Sequence, residues 1–300
     1  MQKKYRTQRI NQAKIISSLE NIYISPLELC NLRCHYCYTR KTKNILSNRQ
    51  ILNFVTDYQT FLKKHFNLNL KSIIFCGGEV FTLPSFPRLV NTLLKKNIFI
   101  TIITNGTIDK LDQITDPKNC QLIVSFDGPQ KIHDHNRGSG NFQKSLNFVK
   151  HALQLDFPVE IFYLITQDSY PYRHSFPQSL SKALKLYSSK VLNFTFLTDR
   201  LGSLTPAQVK HIRQKYPVYP PKNFGCAMLS LQSDGNFYPC CESALKLGSL
   251  SDPISLIVTN YLSRCLTSPL CPDPHYFCNL KIKEEGKDNF QPIKLFLPDL

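Results

Sequence analysis

From about residue 20 to residue 196 the chain alternates short apolar runs with stretches of helical spacing, six times in succession. The runs at 22–29, 72–75, 98–104, 122–126, 159–165 and 191–196 read as strands. Between them, apolar residues recur every three or four positions. Ile51, Phe54, Val55, Tyr58, Phe61 and Leu62 form one such set; Leu89, Val90, Leu93 and Leu94 a second; Phe142, Leu146, Val149 and Leu153 a third; a further helix is read around 180–187. Parallel neighbours cannot be joined by tight turns and need a crossover helix, so the repeat predicts a parallel sheet. Six units fall short of the eight that close a barrel. The expected fold is α/β, a partial (β/α)6 TIM-like barrel, with an open side that leaves room for a bulky substrate.

After Thr198 the pattern breaks. Thr205-Pro206 reads as an N-cap followed by a first-turn proline, and 216–222 (Tyr-Pro-Val-Tyr-Pro-Pro-Lys) as a stiff connector. Beyond it lie six cysteines, two strand-like pieces at 227–232 and 236–238, and little periodicity. The expected division is a basic segment at 1–19, a core at 20–200, a helix and proline-rich connector at 201–222, and a small cysteine-rich module at 223–300.

Nine of the 11 cysteines fall at 30–37 and 226–278, a grouping that favours metal binding over a disulfide framework. Cys76 and Cys120 sit at or beside strands and read as small buried hydrophobes. The N-terminal stretch lacks the apolar core of a secretory signal, and no run is long enough to span a bilayer. A soluble, cytoplasmic protein is expected. The net charge of +16 is spread in short clusters such as Lys63-Lys64 and Lys95-Lys96, with no long basic block and no RNA-binding signature. It reads as solvated helix faces, and no nucleic-acid partner is expected.

Chemistry concentrates at the carboxyl ends of the strands, where parallel β/α folds gather reactive groups. After the first strand comes Cys30-x3-Cys34-x2-Cys37, with Tyr36 before the third cysteine. Three thiolates suit a four-iron cube and leave one iron open to a small molecule. A zinc site normally takes four ligands from paired C-x2-C knuckles. Strand two ends in Gly77-Gly78-Glu79, where glycines expose backbone carbonyls and a carboxylate can hold an ammonium group. Strands three and four end in Thr104-Asn105-Gly106 and Ser125-Phe-Asp-Gly-Pro129, on the same rim. In the C-terminal part, Cys226-x8-Gly235-x4-Cys240 reads as a hairpin bringing two thiolates to one site. Further ligands would come from Cys265, Cys271 and Cys278, with Cys241 spare. One auxiliary four-iron cluster is expected; zinc is the alternative, since four thiolates suit it equally.

The cysteine stretch closely resembles the signature of the radical S-adenosylmethionine (radical SAM) enzymes. The other motifs follow in that family's order across about residues 20–280. The block 125–138, Ser-Phe-Asp-Gly-Pro-Gln-Lys-Ile-His-Asp-His-Asn-Arg-Gly, is similar to one branch. That branch holds the anaerobic sulfatase-maturating and peptide-modifying enzymes with a SPASM or twitch extension. The resemblance implies a [4Fe-4S] cluster on Cys30, Cys34 and Cys37, with S-adenosylmethionine at its open iron. It assigns Gly77, Gly78 and Glu79 to the methionine amino group, Ser125 to the ribose or carboxylate, and Arg137 to a carboxylate. Tyr36, Thr104 and Asn105 are further candidate cofactor contacts. Asp127 reads as a brace for its turn, and His133, Asp134 and His135 as structural or solvent-facing.

The implied activity is reductive cleavage of S-adenosylmethionine to a 5′-deoxyadenosyl radical, which takes hydrogen from a substrate. The protein binds, orients and excludes water while the cofactors carry the radical chemistry. A peptide or protein side chain is the expected substrate, and a flavodoxin- or ferredoxin-type protein the electron donor. The alternatives are a small molecule such as an aminosugar or nucleotide, or a non-catalytic iron–sulfur or zinc protein. Two departures stand out: Val80 follows the Gly-Gly-Glu where the family often has proline, and the C-terminal cysteines are too few for two auxiliary cubes.

Overall fold

The computed structural model describes residues 15–37, 39, 41–185, 192–198, 203–217, 228–241 and 243–267. In chain order its main elements are β1 (Asn21–Ile24), α1 (Asn48–Phe66), β2 (Ser72–Phe75), α2 (Phe86–Leu94), β3 (Phe99–Thr104), β4 (Cys120–Phe126), α3 (Gln130–Arg137), α4 (Asn141–Gln154), β5 (Val159–Ile165), α5 (Ser175–Leu184), β6 (Asn193–Thr198), α6 (Pro206–Lys215), β7 (Ser230–Leu231), β8 (Asn236–Tyr238), β9 (Gly248–Ser249) and α7 (Ile254–Thr267). They fall into two compact units. One comprises Met1–Leu27, Asn44–Ile74 and Asn223–Leu300; the other comprises Glu28–Lys43 and Phe75–Lys222.

In the second unit the strands run in the order β6-β5-β4-β3, every neighbour parallel. Ile100, Ile102, Leu122, Val124, Phe126, Ile161, Tyr163 and Ile165 are buried, which is why these strands read as nearly continuous apolar runs. Helices α2, α4 and α5 bury one face each, through Leu89, Val90 and Leu93, through Phe148, Val149 and Ala152, and through Phe176, Leu180 and Leu184. Thr205 caps α6 in a reciprocal capping box with Gln208, and Pro206 occupies the first turn, as the sequence predicts.

In the first unit the order is β2-β1-β7-β8-β9, with β1 and β7 parallel and β7-β8-β9 antiparallel. The β7–β8 hairpin lies where the sequence places it, and Gly235 takes the left-handed conformation its turn needs (φ 78°). Phe54 of α1 packs on Phe237 of β8 at 4.8 Å between ring centroids. Helix α7, which the sequence reading did not anticipate, buries Ile257, Val258, Tyr261 and Leu262. Among the described residues no helix is long and apolar enough to cross a membrane.

Candidate active site

All the sequence-derived site residues before residue 200 belong to the second unit. The base of the cysteine loop lies directly on the Gly-Gly-Glu turn. Glu79 N donates to Leu29 O at 2.9 Å. A Cβ on Gly78 would stand 1.8 Å from that same carbonyl oxygen, so no other residue lets the loop lie there. The neighbouring Gly77 has φ 135°, again glycine territory. The loop is then closed on itself. Thr42 donates from N and Oγ1 to the Glu28 carboxylate at 3.1 and 2.7 Å, and Lys41 Nζ donates to Leu32 O at 2.8 Å.

Glu79 is fully buried, and its carboxylate is occupied by the protein itself. It accepts from Thr104 Oγ1 at 2.9 Å, Asn105 N at 2.8 Å and Phe81 N at 3.2 Å. Burial pushes its carboxyl up, against the downward pull of the hydrogen bonds from Asn105, Phe81 and Thr104 and of the Arg137 charge. Through these bonds Glu79 ties the end of β2 to the end of β3. The Thr104 hydroxyl shares in this tie, donating to Glu79 and accepting from Gly106 N at 3.0 Å. Asn105 faces the cysteine loop, with Nδ2 at 3.0 Å from Asn31 Oδ1 and 3.7 Å from Cys30 Sγ.

A second knot joins the loop to the end of β4. Asp127 accepts from Tyr36 OH at 2.6 Å and from Arg137 Nε at 2.9 Å, and the Arg137 guanidinium lies 5.6 Å from the Tyr36 ring centroid. His35 N donates to Asn136 O, adding a backbone tie between loop and α3. His133 is buried among Phe126 and Phe142. Its Nδ1 accepts from Asp127 N at 3.4 Å, while Nε2 is shut from solvent without a partner. Burial, aided by the Arg137 charge, lowers its pKa to about 3, so it is neutral. Of the candidates on this rim, Ser125 is half-buried and Arg137 is almost wholly enclosed. Asp127 was expected only as a turn brace; its place at the centre of this knot could be suspected from the sequence only through the charge of Arg137 ten residues on.

Cys30, Cys34 and Cys37 are free thiols, the first two half-buried and the third exposed. Burial pushes Cys30 and Cys34 up; on Cys34 the Arg137 guanidinium pulls the other way, while Asp127 and the two sister thiols add to the rise. Among the described residues no three Cys, His, Asp or Glu side chains converge enough to grip a single metal ion. Cys34 is close enough to Cys30 and Cys37 to feel both thiols, and three neighbouring thiols on one loop are a donor set that fits an iron–sulfur cluster. Cys120 is fully buried and Cys76 half-buried, each away from this trio in sequence. In the first unit, Cys240 and Cys265 are close enough to affect one another electrostatically, and burial pushes Cys265 up to about 12. Cys226, Cys271 and Cys278 lie outside the described residues.

Residues 24–168 match the Radical SAM superfamily. They form a radical SAM domain. A cysteine-type anaerobic sulfatase-maturating enzyme of Clostridium novyi is 24% identical over 275 residues, spanning 86% of this chain and 69% of that protein. Among solved structures, the radical SAM fold aligns with native anSMEcpe with bound AdoMet at TM-score 0.61 and 19% identity, covering 80% of this chain and 81% of that one. Streptococcus suis SuiB bound to precursor peptide SuiA aligns at TM-score 0.62 and 16% identity, covering 84% and 68%. The parallel α/β architecture is thus that of the partial barrel expected from the six repeats. With a radical SAM domain and sulfatase-maturating enzymes among its relatives, the chain is an enzyme.

Proposed function

We propose that this radical SAM enzyme acts on a peptide or protein side chain. Cys30, Cys34 and Cys37 would hold a [4Fe-4S] cluster, and S-adenosylmethionine would lie against Gly77, Gly78, Ser125 and Arg137. When bound, these two groups supply reducing power and radical chemistry. The residues themselves do four things. Gly77 and Gly78 offer backbone carbonyls to an ammonium group, at a turn whose shape Glu79 and Thr104 fix from behind. Arg137, anchored through Nε by Asp127, offers its remaining guanidinium N–H groups to a carboxylate. Tyr36 holds the loop to the β4 rim. Asn105 donates toward Cys30 Sγ, the kind of outer contact that tunes a cluster.

The observation that carries this reading is the seating of the base of the cysteine loop, at Glu28 and Leu29 just before Cys30, on Gly78 and Glu79. The peptide class is supported by the sulfatase-maturating relative and the peptide-bound SuiB likeness. An auxiliary cluster in the first unit would use Cys240 and Cys265 together with Cys226, Cys271 or Cys278, and a flavodoxin- or ferredoxin-type donor would supply electrons.

The test is anaerobic reconstitution followed by iron analysis and incubation with dithionite and S-adenosylmethionine. 5′-Deoxyadenosine is expected from the native chain and from Cys76→Ala, and none from the Cys30→Ala, Cys34→Ala or Cys37→Ala variants. The reduced cluster's electron paramagnetic resonance should shift when S-adenosylmethionine is added. A spectrum indifferent to it, or full activity in Cys37→Ala, would refute the assignment.

A further inference from the structure

An open cavity of about 600 Å³ lies in the second unit beside β6, and none of its lining comes from the cysteine loop or the Gly-Gly-Glu turn. Successive strand residues face opposite ways. Asn193 and Thr195 line the cavity from one face of β6, and Phe194 and Phe196 from the other. The cavity therefore wraps the edge of the strand. One edge of β6 pairs with β5. On the other, Phe196 N donates to Pro217 O at 2.8 Å. Phe194, two residues back, directs its own N–H and C=O toward that same edge.

Arg173 projects into this cavity without a counter-charge. Its Nη1 donates to Tyr170 O at 2.9 Å and its guanidinium stacks 4.2 Å from the Tyr170 ring centroid. Its Nε is shut from solvent with no acceptor, and no carboxylate pairs with it among the described residues. The carboxylate that does line the cavity, Glu160, is already held by Gln121 Nε2 at 3.1 Å and by Thr195 Oγ1. His174 stands next to Arg173, hydrogen-bonded through its ring to Tyr216 OH at 2.6 Å. A half-buried cation without a carboxylate partner is a costly arrangement that an anion relieves.

We propose that this cavity is a binding site for a carboxylate, with Arg173 as its anchor and the aromatic walls of Phe194, Phe196 and Tyr216 receiving the rest of the ligand. The Phe194 N–H and C=O on the outer edge of β6 suit main-chain pairing with an extended segment, which favours an acidic side chain within a peptide over a free acid. The site stands apart from the cluster chemistry and does not depend on it.

Calorimetric titration of the full chain with three probes tests this: the blocked pentapeptide Ala-Ala-Glu-Ala-Ala, its Gln counterpart, and glutarate. The Glu peptide should bind about tenfold or more tightly than the Gln peptide, the least a charge-assisted hydrogen bond supplies. Arg173→Gln should erase that preference, Arg173→Lys should keep part of it, and the exposed Arg88→Gln should leave it whole. Glutarate binding as tightly as the Glu peptide would assign the site to free acids; weaker binding would assign it to peptides. Equal binding of the Glu and Gln peptides to the native chain overturns the proposal without needing any variant, and so does a preference that survives in Arg173→Gln.

Discussion

Asp127 and Arg137 form an ion pair of 2.9 Å in which the carboxylate is wholly enclosed and the guanidinium nearly so. Breaking a buried pair from one side leaves an uncompensated charge, a loss of about 3–5 kcal/mol. Asp127→Asn and Arg137→Gln should each lower the apo chain's unfolding free energy by roughly that amount in urea. The double variant should lose much less than the two together, because neither charge is then stranded. Simple additivity would show that the two side chains act independently.

Gly78→Ala and Gly140→Ala separate steric necessity from backbone preference. At Gly78 the added methyl would sit 1.8 Å from Leu29 O, a backbone atom that cannot swing aside. The loop must lift, and iron incorporation at Cys30, Cys34 and Cys37 should fall sharply in reconstituted Gly78→Ala. Gly140 has φ 76° and nothing within 4 Å of the added atom, so its variant should lose only about 1 kcal/mol and keep its iron. Equal iron content in both variants would mean that the seat on Gly78 does not position the thiols.

Much of the second unit could be read from residue order because buried parallel strands are written as apolar runs. Strands β2 and β5 fall on the expected positions, whereas β1 stops at Ile24, short of the expected 29, with Pro26 just beyond it. Where small or polar residues do the packing, periodicity misleads. Helix α4 buries Val149 and Leu153 of the expected stripe, but Phe142 and Leu146 are only half-buried, and Asn141, Ser145, Phe148 and Ala152 complete the buried face. Ser145 belongs to the buried face because its hydroxyl donates to Asn105 O at 2.7 Å, a long-range bond with no sequence signal. The three-cysteine loop and the glycine pair were legible for the opposite reason: few other residues can perform those tasks. The hydrogen-bond partners of Glu79, Thr104 and Asp127 were not, since a carboxylate or hydroxyl in a motif says nothing about which way it turns.

His133 gives the fold an acid-sensitive element. Its ordinary value of 6.5 is lowered to about 3 by burial and by Arg137. Below pH 6.5 the unfolded chain takes up a proton that the folded chain refuses. The stability that neutral His133 contributes is thus complete above 6.5 and falls by about 1.4 kcal/mol per pH unit as pH drops toward 3. His133→Asn keeps an acceptor for Asp127 N and removes the titration. The gap between native and variant stabilities should narrow steadily from pH 6.5 to pH 4 in denaturant titrations. A constant gap would show that His133 titrates alike in both states.

Glu79→Gln distinguishes a brace from a ligand contact. Each carboxylate oxygen accepts a backbone N–H, Phe81 on one side and Asn105 on the other. An amide offers only one accepting oxygen, so one of those buried N–H groups must lose its partner, a loss of about 1–3 kcal/mol. The expected result is a fall of that size in unfolding free energy, already present in the apo chain. Any weakening of S-adenosylmethionine binding should follow from the disturbed turn, and Thr104→Val, which removes the hydroxyl donor while keeping the shape, should weaken it in the same direction. Should Glu79→Gln leave apo stability untouched yet abolish affinity in a calorimetric titration, the carboxylate must turn toward the ligand after all, and the bonds from Thr104, Asn105 and Phe81 would have to break on binding.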